Sequence, residues 1–497
     1  MRHNTSFWLS VPIALAALAP LAVLVWLGFS AELEFSGRTA EILLNTILLT
    51  GLTVLTSILV GVPLAFVMAY ADLPGRRFWL AALAAPLAMP SYIGAFAYFA
   101  AFGGGGELET LLGIATPRLE GLPGAVLVMT LYTFPFVMLT TRASLRNLDP
   151  SMVDAARVLG LSLPQAMRRV VLPRARGGIA AGALIVALYT LSDFGTPAIM
   201  RLDTFTRMIY VEYNAFGLER AALLSVYLLA LVAVVLWLES RVSAERERPG
   251  RTLNLYVKPG HLILLVAIVL SILMAALGLP LGMFTVWLLR EGAAGFDPAY
   301  AWNSVHASLL AAIAAVIVAL PVAYATTAGR AGRLLERATH FGFGVPGIVL
   351  GTALVYIGLQ LDMLYQTLAL LVLGYVLRFL SLAVGSIRSR AERIDRNLVA
   401  AARSLGASPA EAFRRVSLPL ALPGIAAGAA LVFLEAMREL PATLMLQPTG
   451  FDTLATYLWR VYEAGYLGYG AIPGLLLVLV SMVALVVLLS GEERASL

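Results

Sequence analysis

Asp154-Ala155-Ala156-Arg157-Val158-Leu159-Gly160 is followed, nine residues on, by Val170-Val171-Leu172-Pro173. The string returns as Ala400-Ala401-Ala402-Arg403-Ser404-Leu405-Gly406, again nine residues ahead of Val416-Ser417-Leu418-Pro419. Identical spacing at an offset of 246 marks an internal duplication, and this partitions the rest of the chain. Each copy is an arginine-bearing island in apolar surroundings. Of 497 residues, 60% are hydrophobic and 13% charged, against about 25% charged in a soluble domain. The apolar residues gather in runs of roughly 20 or more, enough to cross a bilayer core. The expectation is an all-α polytopic membrane protein.

The runs are 8–29, 43–70, 79–102, 122–141, 177–200, 221–238, 261–289, 303–328, 339–360, 366–387, 423–447 and 471–490, about twelve transmembrane helices. The first is too long for a signal-peptide core and has no Ala-x-Ala site, so it reads as a span. Arginines crowd the even-numbered connections: Arg76 and Arg77 after the second span, Arg142 to Arg176 after the fourth, Arg388 to Arg415 after the tenth. The odd-numbered connections are neutral or acidic. The positive-inside rule then puts both termini and both islands in the cytoplasm.

The duplication extends beyond the islands. Asn45 and Pro63 recur as Asn303 and Pro321, Gly182 as Gly428, and Asp203-Thr204 as Asp452-Thr453. An even number of spans per half gives two parallel six-helix repeats, not inverted ones. The division is 1–240, a linker at 241–260, and 261–497. The first half carries a longer external loop with Gly103-Gly104-Gly105-Gly106, which reads as linker because no lysine follows it.

Composition also excludes chemistry. There is no cysteine, hence no disulfide or thiolate site. The only lysine, Lys258, precedes Pro259, so the chain holds no phosphate-binding P-loop. His3, His261, His306 and His340 are scattered without metal-ligand spacing. The charge of +6 fits arginines on one membrane face better than nucleic-acid binding.

Each island reads as a helix–turn–helix knob. Asp149-Pro150 and Asp395 supply starts, Gly160 and Gly406 left-handed stops, and Ser162/Gln165 and Ser408/Glu411 capping boxes. Pro173 and Pro419 are expected to end the second helix. A single such knob could be an ordinary arginine-rich loop at lipid headgroups; two copies with matching caps argue for a shared mechanical role.

Asp154, Ala155, Ala156, Gly160, Leu172 and Pro173, with Ala400, Ala401, Ala402, Gly406, Leu418 and Pro419, resemble the "EAA" motif of binding-protein-dependent ABC importer permeases. The usual glutamate is Asp154 in the first copy (149–173) and Ala400 in the second (395–419). The resemblance covers both halves. It implies the type I importer fold, coupling helices docked on a cytoplasmic ATPase dimer that binds ATP and magnesium, and an external solute-binding protein. It also implies a bacterial inner (plasma) membrane location, contact with membrane lipid, and no cofactor or catalysis in this chain. Arg438-Glu439-Leu440-Pro441-Ala442-Thr443-Leu444 and its counterpart Asp193-Phe194-Gly195-Thr196-Pro197 look most like ferric iron importers. Thiamine, phosphonate, sulfate and polyamine importers share the architecture.

Charges inside the apolar runs cost about 2.5–3.5 kcal/mol each at a helix centre. The offset of 246 superposes Asp193 on Glu439 and Tyr189 on Glu435. One reading makes Tyr189, Asp193, Glu435, Arg438 and Glu439 a translocation pathway, with Asp193 and Glu439 as transient oxygen ligands for a hard cation. The other is structural: Glu435, Arg438 and Glu439 neutralise one another at i, i+3 and i+4, while Arg378 pairs with Asp193. The aromatic segments 201–220 and 448–470 read as interface belts or as a docking surface. The rivals to an importer permease are a twelve-span secondary transporter, which has no use for paired knobs, and a membrane enzyme, which calls for acid–base or metal residues clustered at one depth, where only Glu435, Arg438 and Glu439 come near.

Overall fold

The computed structural model describes residues 3–30, 35–113, 115–146, 148, 151–242, 259–326, 330–361 and 363–495. Among these the regular structure is essentially helical, in two compact units. The first unit is Glu34–Met208 with Tyr227–Gly292; the second is Met1–Leu33, Ile209–Val226 and Ala293–Leu497. Each holds one copy of the duplicated island. Each also takes in the leading span of the other sequence half: helices Pro259–Leu273 and Leu279–Glu291 lie in the first unit, helix His3–Ser30 in the second. Most of the expected linker, residues 243–258, lies outside the described residues.

Nine helices among the described residues are long and apolar enough to cross a membrane. A tenth span results if Arg76–Ala88 and Ser91–Ala101, bent by 83°, count as one. Gly347–Gln360 is a shorter apolar helix within the ninth run, while helix Ala471–Ala495 covers the twelfth, its side chains described as far as Val483. At the third and ninth runs the difference from twelve comes from breaks that hydropathy cannot see. Pro90 and Pro346 each stand just ahead of a new helix, Ser91–Ala101 and Gly347–Gln360. Proline has no N–H to give to a preceding turn, so the chain restarts there. The runs 177–200 and 423–447 are also interrupted, after Ser192 and Met437, by Asp193-Phe194 and Arg438-Glu439-Leu440.

Three helices form the heart of each unit: Gly37–Tyr70, Gly121–Arg146 and Leu172–Ser192 in the first, Pro298–Thr326, Leu368–Ala391 and Leu418–Met437 in the second. Gly178 and Gly182, four residues apart, put the third helix against the second; Gly424 and Gly428 repeat this. A Cβ on Gly178 would lie 2.6 Å from the Thr140 carbonyl oxygen, and one on Gly182 2.6 Å from Val137 Cα. Apolar side chains gain nothing by leaving lipid for one another, so membrane helices associate through such close backbone contact and through hydroxyl pairs. Ser57 and Thr133 supply one pair, Oγ to Oγ1 2.9 Å.

The leading span of the first unit is anchored differently. Residues Met274–Gly278 form a π-turn just before Leu279-Pro280. A π-turn loosens the local backbone ladder. Here the Ala275 and Ala276 carbonyls accept from Tyr98 Oη at 2.9 Å and Tyr132 Oη at 2.8 Å. Phe96 stacks on Phe284 at 6.0 Å and meets Trp287 edge-on at 5.7 Å.

Gly182→Val will force helices Gly121–Arg146 and Leu172–Ser192 apart at a cost of about 1–3 kcal/mol. Thermal unfolding in detergent should show it. Gly428→Ala, whose Cβ would sit 3.1 Å from Ala383 Cα, will cost less.

Candidate functional site

The two islands fold alike. In the first, helix Ser151–Val158 ends at Gly160, which has φ +90°. The Leu161 N–H reaches the Ala156 carbonyl at 3.1 Å and the Gly160 N–H reaches Arg157 at 3.0 Å. This pair of bonds is a Schellman turn. In the second, helix Arg396–Ser404 ends at Gly406, also at φ +90°. Ala407 bonds back to Ala402 and Gly406 to Arg403, both at 3.1 Å. The repeated alanine therefore supplies the carbonyl that closes the turn, and glycine takes the left-handed position that a side chain would strain.

The second helix of each knob is capped as expected. Ser408 and Glu411 form a complete capping box, and the Ser162 N–H donates to Gln165 Oε1 at 3.0 Å. Asp395 caps its helix by accepting from the Asn397 N–H at 2.9 Å. Asp149-Pro150, the expected start of the first knob, lies outside the described residues.

One expectation is corrected. Pro173 and Pro419 do not end the second helix. Each sits in the first turn of a long helix, Leu172–Ser192 or Leu418–Met437, behind a π-turn at Met167–Val171 or Phe413–Ser417. The Leu172 N–H bonds to Met167 O and the Leu418 N–H to Phe413 O, each five residues back. Widening the turn by one residue relieves the proline ring of its clash with the preceding carbonyl. Helix thus runs without interruption from each knob into a membrane span.

The knobs present a mixed surface. Val153 and Ala156 are buried beneath the first, while Asp154, Ala155, Gly160 and Pro173 are exposed and Leu172 lies 36% exposed. Val158 and Leu159 at the first turn, and Leu405 at the second, are more than 80% exposed, apolar and projecting. Asp154, Arg157, Gly160 and Leu163 line an open cleft of about 550 Å³. In the second copy Ala400, Ala401, Gly406 and Pro419 are exposed, and Ala402 and Leu418 are half-buried.

At the far end of each unit a second repeated device appears. Asn45 Nδ2 donates to the Asp203 carbonyl at 3.2 Å, and Thr46 Oγ1 accepts from the Phe205 N–H at 3.1 Å. Asn303 and Ser304 do the same for Asp452 and Leu454, at 3.0 and 2.8 Å. Both aspartates pair with an arginine, Arg207 or Arg460. Amphipathic helices follow in the chain, Phe205–Phe216, which from Ile209 on belongs to the second unit, and Leu454–Ala464. Tyr457 in the second stacks on Tyr300 at 4.3 Å, beneath the Arg460 guanidinium.

The intramembrane charges lie at the helix breaks. Asp193 is the C-cap of Leu172–Ser192, and its Oδ1 accepts from the Thr196 N–H at 3.2 Å, capping the short helix Gly195–Ile199. Its Oδ2 accepts from Thr196 Oγ1 at 2.9 Å and from Ser91 Oγ. Tyr189 Oη lies 3.5 Å from Ser91 Oγ. Glu439 plays the same part in the other unit, its Oε1 accepting from the Ala442 N–H at 3.1 Å ahead of helix Pro441–Leu446.

The expected pairing of Arg378 with Asp193 is replaced by another. Arg378 Nε donates to Glu439 Oε2 at 3.0 Å, with both side chains largely buried, and Arg378 Nη1 donates to the Val345 carbonyl at 2.9 Å. Gly347 leaves room for this pair, since a Cβ there would meet Glu439 and Arg378 directly. Of the expected local triad, Arg438 pairs with Glu435. Sequence reading missed Ser91, because its counterpart at an offset of 256 is Gly347 and the repeat gave no signal. Among the described residues no group of three His, Asp or Glu is placed to hold a metal ion.

Two helical units, each with an exposed knob continuous with a membrane span, define a polytopic permease. Residues 61–277 and 313–491 each match the family described as binding-protein-dependent transport system inner membrane component, and the chain belongs to that family. It is 31% identical over 488 residues to the Fe(3+)-transport system permease protein FbpB 2 of Haemophilus influenzae, covering 93% of each chain. It is 22% identical over 484 residues, 90% of this chain and 70% of the other, to the ferric transport system permease protein FbpB of Actinobacillus pleuropneumoniae. A molybdate/tungstate transport system permease protein of Thermococcus kodakarensis is 26% identical over 260 residues, covering 49% of this chain and all of that one.

Arg378→Gln will strand a buried carboxylate and cost about 3–5 kcal/mol. Arg378→Gln with Glu439→Gln should recover much of this, read as a double-mutant cycle of thermal unfolding. Gly406→Ala will cost about 1–2 kcal/mol within the knob. Faster hydrogen exchange at the Ala407 amide, with the membrane spans unaffected, is the measurement.

Proposed function

We propose that this chain is the fused membrane component of an ATP-driven importer of ferric iron. The observation that carries the substrate is the identity with the Haemophilus influenzae Fe(3+) permease, which runs through both halves. A separate ATPase dimer binds ATP and magnesium in the cytoplasm and grips the two knobs; the termini share that side. An external solute-binding protein delivers the ion; in each unit the end remote from the knob, with its clamped Asp203 or Asp452 loop, is the surface offered to it.

The mechanism follows from continuity. A helix is stiff along its axis, so a displaced knob tilts the span beyond the π-turn. That span ends at Asp193 in one unit and near Glu439 in the other, so motion at the knob reaches the breaks. The two units rock as rigid bodies and expose the path alternately.

Asp193, with Tyr189 and Ser91 beside it, offers carboxylate and hydroxyl oxygens, the donors a hard cation favours. Glu439 is engaged by Arg378, so an ion gains it only by displacing that guanidinium; Glu435 is held by Arg438 in the same way. These are transient contacts, with no resident metal.

The test is uptake of radioactive ferric iron by vesicles containing the permease, its ATPase and its binding protein. ATP-dependent uptake of iron over molybdate supports the reading, and the reverse preference overturns it. Asp193→Asn and Glu439→Gln should each lower iron uptake by about tenfold or more, the scale of one lost charged contact. Unchanged uptake in both would remove them from the path. Asp154→Ala and Ala400→Glu should shift transport-coupled ATP hydrolysis in opposite directions, because the two knobs differ in their acidic contact.

A further inference from the structure

In the first unit an apolar groove of about 380 Å³ lies between the C-terminal half of helix Gly37–Tyr70 and the length of helix Pro259–Leu273. Leu59, Pro63 and Val67 wall one side; Leu264, Ile268 and Ile272 wall the other. Both walls belong to membrane-crossing helices. Leu59, Leu264 and Ile268 are 64%, 60% and 49% exposed, so the groove is open. At that depth its medium is hydrocarbon, not water.

One end is polar. His261 lines it at the start of its helix and is exposed. One residue past Val67, the Met68 carbonyl accepts from Arg76 Nε at 2.8 Å and from Arg142 Nε at 3.3 Å. Arg146 is close enough to repel both guanidiniums, and Asp72 is the acidic group acting on Arg76. Helix-end carbonyls orient these arginines but carry only partial charge. Arg76, Arg142 and Arg146 thus crowd together with Asp72 acting on Arg76 alone, and Arg77, next to Arg76 in the chain, is exposed.

The arginines and the groove are joined. Helix Arg76–Ala84 packs on helix Pro259–Leu273, and Trp79 and Leu80 share an apolar cluster with Leu262 and Leu265. Phe78 beside them is 67% exposed. Arginine next to exposed and half-buried aromatics is the composition of a segment lying at the headgroup level.

We infer that the groove holds one acyl chain of an anionic phospholipid whose phosphate is bound by Arg76, Arg77 and His261. The chain fills the apolar walls, and the headgroup supplies the anion that Asp72 alone does not. Basic pockets beside membrane helices select anionic over zwitterionic lipid in this way.

The test is native mass spectrometry of the full chain, released from detergent, with equal amounts of phosphatidylglycerol and phosphatidylcholine of matched acyl length. One phosphatidylglycerol should be retained with roughly tenfold preference, the scale set by one or two arginines at a charged surface. Arg77→Gln with His261→Gln should bring the two lipids to parity, while Arg77→Lys keeps the preference. Ile268→Trp, filling the groove, should release both lipids. Equal retention by the unaltered protein overturns the proposal, as does a preference that survives the double glutamine change. Lipid retained in full by Ile268→Trp overturns the acyl assignment.

Discussion

A helix that breaks inside a bilayer exposes N–H and C=O groups that no water reaches, so the break must bring its own partners. Much of this architecture answers that constraint. Asp193 and Glu439 stand where long helices stop, and each accepts from a backbone N–H of the short helix beyond. Asn45 and Thr46, with Asn303 and Ser304, do the same for the loops at the far end. The groups that look most functional in the sequence are thereby also those that keep the backbone satisfied.

The duplicated positions have diverged in how they meet this demand. Asp193 is held by hydroxyls and a backbone amide, while Glu439 has a guanidinium, Arg378, at the position where the first half has Tyr132. A carboxylate held by hydroxyls can exchange partners cheaply; one locked to a buried arginine cannot part from it without stranding a charge. Two halves with one backbone plan therefore differ in how readily their acids are freed.

The knobs were legible because their information is local. Caps, a left-handed glycine and proline spacing are written within a few residues, and the structure returns them nearly unchanged. The apolar runs likewise placed the spans. What stayed hidden was non-local. Nothing near Arg378 in sequence distinguishes Glu439 from Asp193 as its partner; the choice depends on Gly347, which leaves room where the other half has Ser91. Hydropathy also passed over the breaks at Pro90 and Pro346, because it averages across them. The exchange of leading spans between units has no signature in composition at all. Proline was read too simply: its missing N–H was expected to stop the helix, and a wider turn absorbed it.

That wider turn also governs direction. Successive residues of an α-helix are separated by about 100° around the axis. Accommodating one surplus residue in a π-turn rotates everything on its N-terminal side by roughly that angle relative to an uninterrupted helix. The bearing of Val158, Leu159 and Leu405 around their helices is thus set at Met167–Val171 and Phe413–Ser417, far from the residues themselves. The equal count of nine residues from glycine to valine in the two copies gives each knob the same azimuth about its own span, as well as the same shape.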